Sequence, residues 1–375
     1  MPLFLEVFSL EKVYFENLGE SWEQLRKSEM PIVIYGMGNA CEKILCRFSE
    51  LGIACSGIFA SDEFVRGQSF RGFRVKTLSA VEEEFGDFII CSAFGSSIPE
   101  VMERVLFLSN RHKLLFPDLP VAGDEYFSKE GFLKRFDRAA SAYSLLSDEK
   151  SKETFVKLFS FKITGDIKYL IPIFEDTENI MSMLIGDNED LVYADLGAYN
   201  GDTVERFIEK SNGKYEKIFA FEPDKRSFRK CVKNLIGYDN IDFINACAWS
   251  TDERIGFSQQ SGRQSKISDS GELIAARSLD SVLSGKRCDI VKYDVEGAER
   301  EALEGSAETI RRCAPSLIVS AYHRPYDLID LPLIINDIYG GYSCYLRQPP
   351  YFPAWDSVIA AVNTNRLPRK LNHTA

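Results

Sequence analysis

Short apolar runs alternate with helix-spaced apolar positions twice along this 375-residue chain, with one long interruption between the two series. The first series opens at Pro31–Gly36, an apolar strand that turns through Gly36-Met37-Gly38-Asn39-Ala40 into a helix reaching about Leu51. A strand around Cys55–Phe59, a helix ending at Val81–Phe85, a strand at Asp87–Ser92 and a helix over Ser96–Leu106 follow, and Leu114–Asp118 reads as a last short strand. Between Arg111 and Asp190 the alternation stops. Asp148–Phe161 and Asn179–Leu184 there have helical spacing, which predicts a helical bridge capping the first strand of the second series; the alternative is a lid using Tyr169 or Phe174. The second series begins with the strand–turn–helix Val192–Thr203, the helix running to Lys210. It continues with strands at Lys217–Glu222, Ile241–Asn245, Cys288–Asp294 and Pro315–Tyr322. Helices are expected at Asp224–Leu235 (capped by Asp224), from Glu299 to Gly305 and from Asp327, and Gly341–Leu346 with Asp356–Val362 can close the sheet as a hairpin. Alternating strand and helix periods mean doubly wound α/β units. The expected organisation is a Rossmann-like domain at 1–118, a helical connector at 119–189 and a second Rossmann-like domain at 190–375.

Composition narrows the function classes. With 45% hydrophobic residues the chain can bury more than one core. A net charge of −11 and a pI near 5.1 argue against a nucleic-acid partner. No apolar run approaches the ~20 residues of a membrane span, and the N-terminal stretch lacks a basic segment and a cleavage site. Nine cysteines without a Cys-x-x-Cys pair read as reduced residues of a cytoplasmic protein, and three histidines without a ligand cluster give no expectation of a metal.

Candidate chemistry lies in the turns. Gly36-x-Gly38-x-x-Cys41 is a dinucleotide signature with its third glycine replaced, and Asp62 lies 24 residues beyond Gly38. It permits a nucleotide pocket or merely a tight turn. The run from Gly57 to Val75 resembles the small Rossmann-type domain of bacterial sugar-modifying proteins. In the second series, Asp195-Leu-Gly197-Ala198-Tyr199-Asn-Gly201-Asp202-Thr203 brings glycines and a helix N-terminus to one bend. It lacks both the dinucleotide spacing and the Lys-Ser/Thr of a P-loop. A ligand with hydroxyls and positive charge is favoured over a phosphate, and S-adenosylmethionine is such a ligand. Asp195, Glu222 and Asp294 each end a strand of an expected parallel sheet, whose carboxyl edge is where ligands bind.

Four segments taken in order, Tyr193–Thr203, Ala220-Phe-Glu-Pro-Asp224, Ser278-Leu-Asp280 and Lys292-Tyr-Asp-Val-Glu-Gly-Ala-Glu299, resemble the FkbM-type methyltransferases over roughly residues 190–362. The resemblance implies a class I, seven-stranded domain that uses S-adenosyl-L-methionine to O-methylate a saccharide or secondary metabolite. It places the methionine end of the cofactor against Asp195, Gly197, Ala198, Tyr199, Gly201, Asp202 and Thr203. It gives the ribose to Glu222 beside Pro223, the adenine to Asn245 and Ala246, and the reaction centre to Asp294. Tyr293 departs from the aliphatic residue common at its position.

Removing a hydroxyl proton calls for a base. His323, after the fifth strand, is the natural candidate, with Asp294 and Glu296 as alternatives, while Glu299 is expected to face along its helix. Asp294 and Glu296 are hard oxygen donors, too few to imply magnesium or calcium. The polar stretch Ser258–Gly271 reads as a solvated loop or as a tip bringing Arg263 or Lys266 to an acidic sugar. Tyr322–Tyr326 and Tyr351–Trp355 offer aromatic faces to a sugar ring or to the core. Two other functions stay open: a non-catalytic nucleotide-sugar binding or scaffold protein, and an NAD-type oxidoreductase using the first domain. The acceptor and oligomeric state are not legible.

Overall fold

The computed structural model describes residues 12–176, 178–186, 188–258, 266–267 and 272–363. The first series of elements builds a six-stranded sheet from β1 (Ile32–Tyr35), β2 (Gly57–Phe59), β3 (Ser69–Phe70), β4 (Phe73–Lys76), β5 (Ile89–Ser92) and β6 (Lys113–Leu115), in the order β3-β4-β2-β1-β5-β6. All pairs are parallel except the small β3–β4 hairpin, which the sequence reading lacked. Every residue of β1 and β5 is buried, as expected of strands covered on both faces.

The second series gives β7 (Leu191–Leu196), β8 (Tyr215–Phe221), β9 (Ile241–Ile244), β14 (Ile290–Tyr293), β15 (Ser316–Ser320), β16 (Ser343–Arg347) and β17 (Val358–Val362). They form a seven-stranded sheet in the order β16-β17-β15-β14-β7-β8-β9, with β17 antiparallel to both its neighbours. The fold is therefore two doubly wound α/β units, and the carboxyl ends of β7, β8, β14 and β15 share one edge. The strand order reverses between β14 and β7, which makes that edge a natural ligand crevice.

Between β9 and β14 lies an element absent from the sequence reading. Strands β10 (Cys247–Ala248), β11 (Glu253–Ser258), β12 (Lys266–Ile267) and β13 (Glu272–Arg277) make a four-stranded sheet of order β10-β13-β11-β12. The expected polar loop is thus partly a hairpin, with Lys266 paired to Ser258 in the ladder. Residues 259–265, Arg263 among them, and 268–271 lie outside the described residues.

The connector is helical, but most of it packs at the β16 end of the second sheet rather than on β7. Ser147 N donates to the Cys344 carbonyl, and Arg347 of β16 forms ion pairs with Asp148 at 2.6 Å and Glu175 at 2.9 Å. Leu158, Phe159 and Phe161 of helix Glu149–Thr164 belong to one hydrophobic core that also contains Val33 of the first sheet and Val291 of the second. The last connector helix, Glu178–Ile185, packs beside β7; Met181 and Ile185 join Tyr193, Val204 and Phe207 in a second core. Tyr169 and Phe174, the lid candidates, are partly buried against the main core, and Phe174 meets the ring of Phe352 at 5.3 Å.

At the Gly36–Gly38 turn, read as a nucleotide pocket or merely a tight turn, the chain itself covers Gly36. Phe94 covers Gly36 so closely that a Cβ there would lie 2.9 Å from its ring, and the space beside it, lined by Ala40, Phe94 and Trp355, is only about 30 Å³. Gly38, by contrast, has open space at its Cβ position, and that small pocket by itself is too small for a dinucleotide. Cys41, in place of the third glycine, is a fully buried core residue.

Candidate functional site

A cavity of about 810 Å³ opens at the carboxyl edge of the second sheet. Its floor is the turn after β7. Gly197 has φ +102°, and a Cβ on it would fall 1.9 Å from the Asp294 carbonyl oxygen, so no other residue allows β7 and β14 to end this close. Gly197 N and Ala198 N both donate to the Phe221 carbonyl, tying the turn to β8. Gly201, also at positive φ, precedes helix Asp202–Lys210, whose first turn carries Asp202. Tyr199 (φ +48°) and Glu296 (φ +54°) are strained non-glycine residues on the cavity wall.

Glu222 follows β8, almost wholly buried. Its carboxylate accepts hydrogen bonds from Tyr199 N at 2.9 Å and Asp224 N at 2.8 Å, while Asn245 Nδ2 donates to the Glu222 and Pro223 carbonyls. Burial pushes the Glu222 carboxyl up to about 7 against the opposing pull of those two N–H groups. Gly197, Tyr199, Asp202, Thr203, Glu222, Pro223, Ala246, Asp294 and Glu296 all line the cavity.

Asp195 sits elsewhere. It is fully buried behind the turn, accepting from Tyr193 Oη at 3.0 Å and from the Thr203 hydroxyl, with Lys292 Nζ at 3.2 Å. Lys292 also donates to the Gly197 carbonyl at 3.3 Å and lies 3.6 Å from Asp294. Burial works against the Lys292 charge, but Asp195 and Asp294 hold the ammonium above its ordinary range. The expected cradle of three acids is thus two acids on the wall, Glu222 and Asp294, and one behind it. Ala198, Gly201 and Asn245 likewise shape the wall rather than form it. A lysine inside the apolar strand Cys288–Asp294 is the sequence signal of this arrangement, because a buried ammonium needs a carboxylate partner.

His323 is fully buried among three carboxylates. Its Nδ1 is 2.9 Å from Glu299, and its Nε2 is 3.5 Å from Glu296 and 3.8 Å from Asp294. Burial alone would lower its pKa, yet Glu299, Glu296 and Asp294 together hold it well above the ordinary histidine value. Those carboxylates favour the imidazolium form, which works against a role for His323 as the base expected from its position. Glu299 also departs from expectation: it is buried rather than facing along its helix, and it accepts from Val295 N at 3.0 Å. Among the described residues, Asp294, Glu299 and His323 offer ligand atoms within 4.8 Å of one another.

Residues 195–361 match the model of the methyltransferase FkbM domain. The C-terminal half is an FkbM methyltransferase domain. A solved methyltransferase FkbM from Methylobacillus flagellatus KT shares the fold over 96% of this chain and 100% of its own, at 18% identity and a TM-score of 0.73. That likeness takes in the N-terminal module as well as the FkbM domain. Two half-chain matches are far looser. An rRNA methylase from Streptococcus thermophilus has 14% identity, 50% and 93% coverage and a TM-score of 0.35. A precorrin-6y C5,15-methyltransferase from Geobacter metallireducens GS-15 has 14% identity, 50% and 87% coverage and a TM-score of 0.34. No curated protein matched the chain in sequence. Among the described residues no helix is long and apolar enough to cross a membrane.

Proposed function

We propose that the FkbM domain binds S-adenosyl-L-methionine in the 810 Å³ cavity and transfers its methyl group to a hydroxyl of a saccharide or saccharide-like metabolite, an activity of class 2.1.1. Glu222 carries this reading: a buried carboxylate after the second strand of the sheet, fixed by two backbone N–H groups and still facing the cavity. Each oxygen retains a lone pair, so the pair of them suits the two adjacent hydroxyls of a ribose. The Gly197–Tyr199 turn would hold the methionine end, with Asp202 and Thr203 at the helix start, and Ala246 would wall the adenine beside Pro223. Bound there, the cofactor supplies a sulfonium methyl group as electrophile.

Protein groups must then orient the acceptor hydroxyl and take its proton. Three carboxylates bias His323 toward its protonated form, and Glu296 is the base: its carboxylate is on the wall, whereas Asp294 is also shared with Lys292. The backbone strain at Glu296 supports a functional placement. His323, held by Glu299, is a positioning residue that keeps Glu296 and Asp294 in place.

Calorimetry tests the cofactor assignment. S-adenosylhomocysteine should bind and NAD should not, and Glu222→Gln should weaken binding roughly 10- to 150-fold, the worth of about 1.5–3 kcal/mol for a hydrogen bond to a charged group. NAD binding in preference would sink the reading. A second expectation concerns pH. The ionised Glu222 is the form able to accept two hydroxyl donors, and its carboxyl titrates near 7. Affinity for S-adenosylhomocysteine should therefore fall as pH drops below 7, approaching tenfold per unit, and the fall should vanish in Glu222→Gln. A flat profile in the unmodified protein would remove Glu222 from the ribose site.

A further inference from the structure

The cavity wall extends beyond the FkbM domain. Ser97, Pro99 and Met102 come from the N-terminal module, at the start of helix Pro99–Arg111, and Ile180 and Met181 come from the connector. The N-terminal edge is fastened in place: Ser96 and Phe352 exchange backbone hydrogen bonds of 2.8 and 3.1 Å across the loop that joins β16 to β17. Gly95 beside it admits no side chain, since a Cβ would lie 2.4 Å from the Trp355 ring and 2.9 Å from Tyr351. The same loop puts Pro349, Pro350 and Asp356 on the cavity wall.

This wall stands at a defined end of the cavity. Its loop leads into β17, which lies next to β15, on one side of β14. Glu222, Tyr199 and Ala246 belong to the β7–β8–β9 flank on the other side. Asp294 and Glu296, after β14, stand between. At about 810 Å³ the cavity is near the top of the roughly 300–1,000 Å³ typical of a single ligand site, which leaves room for a second molecule beside a cofactor.

Charge sorts what that molecule is. Seven carboxylates line the cavity against two cations, Arg206 and Lys292, and Lys292 is already paired with Asp195. The N-terminal module contributes only the uncharged Ser97, Pro99 and Met102, and the loop adds Asp356. Among the described residues an anionic acceptor would meet a predominantly negative wall, with Arg206 the cation not already paired to Asp195, and low-dielectric clefts of one sign focus such fields.

We propose that the N-terminal module and the β16–β17 loop form the acceptor compartment of this enzyme, and that it takes an uncharged or cationic hydroxylated acceptor, such as a neutral or amino sugar, and rejects acceptors bearing carboxylate, phosphate or sulfate. Acceptor choice then draws on the N-terminal module as well as on residues 195–361. The inference rests on the methyltransferase reading above.

Thiol labelling tests it without knowledge of the acceptor. Ser97→Cys is made in a Cys46→Ser background, Cys46 being the exposed native cysteine, and the background protein alone supplies the blank. Each methanethiosulfonate reagent forms a mixed disulfide with the thiolate and releases methanesulfinate. The cationic aminoethyl reagent should react at least about tenfold faster relative to the anionic sulfonatoethyl reagent than the pair does at Cys46 of the unmodified protein, as a local potential of about one kT per charge requires. The labelled protein should bind S-adenosylhomocysteine within about threefold of the unlabelled affinity, tenfold being 1.4 kcal/mol. A reagent ratio no higher than at Cys46 overturns the charge selection. Loss of S-adenosylhomocysteine affinity on labelling overturns the acceptor compartment. Failure of the unlabelled protein to bind S-adenosylhomocysteine would instead defeat the underlying methyltransferase reading.

Discussion

Glu296→Gln should lower methyl transfer by roughly 100- to 10,000-fold, the range for losing a positioned proton acceptor, with S-adenosylhomocysteine affinity nearly unchanged. The isosteric amide keeps the side chain's volume and its place on the cavity wall while removing the basic oxygen. His323→Gln should cost less. It removes the positive charge that fixes Glu296 and Asp294 but leaves the base itself, so its loss should be concentrated in the precision of acceptor placement. Single-turnover transfer from labelled cofactor to an acceptor found by mass spectrometry measures both. If His323→Gln proves the more damaging and Glu296→Gln retains near-normal turnover, the imidazole is the base after all.

Asp195→Ala should destabilise the folded protein by about 3–5 kcal/mol, because it leaves the buried ammonium of Lys292 without its fully buried partner. Asp294 remains 3.6 Å away and moderates the loss without replacing it. The hydroxyls of Tyr193 and Thr203 lose their acceptor in the same step. Urea unfolding should show an earlier midpoint with an unchanged slope. Adding Lys292→Met to Asp195→Ala should recover a large part of the stability, since an apolar side chain needs no partner. Weaker cofactor binding by Asp195→Ala would then follow from a loosened turn. A variant that unfolds at the original urea concentration would show that the pair carries no such energy.

The parallel core strands were legible because burial on both faces leaves near-continuous apolar runs, as in Ile32–Tyr35, and Leu191–Leu196 and Ile290–Tyr293 are broken only by Asp195 and Lys292. Capping was legible too: Asp224 receives the N–H groups of Arg226 and Ser227 as its position before a helical pattern implied. The four-stranded sheet after β9 escaped notice because Glu253–Ser258 and Glu272–Arg277 are short and largely polar or small, with one face open to solvent. At the site, residue type and strand position pointed to Glu222, Asp294 and Glu296 as wall residues. They did not separate wall from support. Asp195 and Glu222 look equivalent as strand-terminal acids, and only the side chain from β14, Lys292, decides that one is turned inward. His323 shows the same limit: its basicity is set by Glu296 and Glu299, and Glu299 reaches it only through the turn that folds back at Gly297. Ser97 and Met102 carried no local signal, since their role depends on contacts with a loop some 250 residues later.

Helix Glu149–Thr164 has a further consequence for how the chain is made. Its Ser151 hydroxyl accepts from Leu346 N, 195 residues later, and its cap Asp148 pairs with Arg347, 199 residues later. A ribosome adding about 5–20 residues per second needs roughly 10–40 s to deliver those partners. Through that interval the nascent connector lacks part of its cover. The first sheet can close early, and Phe155 and Phe159 find Tyr143, Phe127 and Phe132 already made, but Asp148 and Ser151 must wait for β16. Chaperone demand and aggregation during expression should therefore concentrate on this helix, and a stop codon anywhere before β16 would release a chain whose largest core stays open.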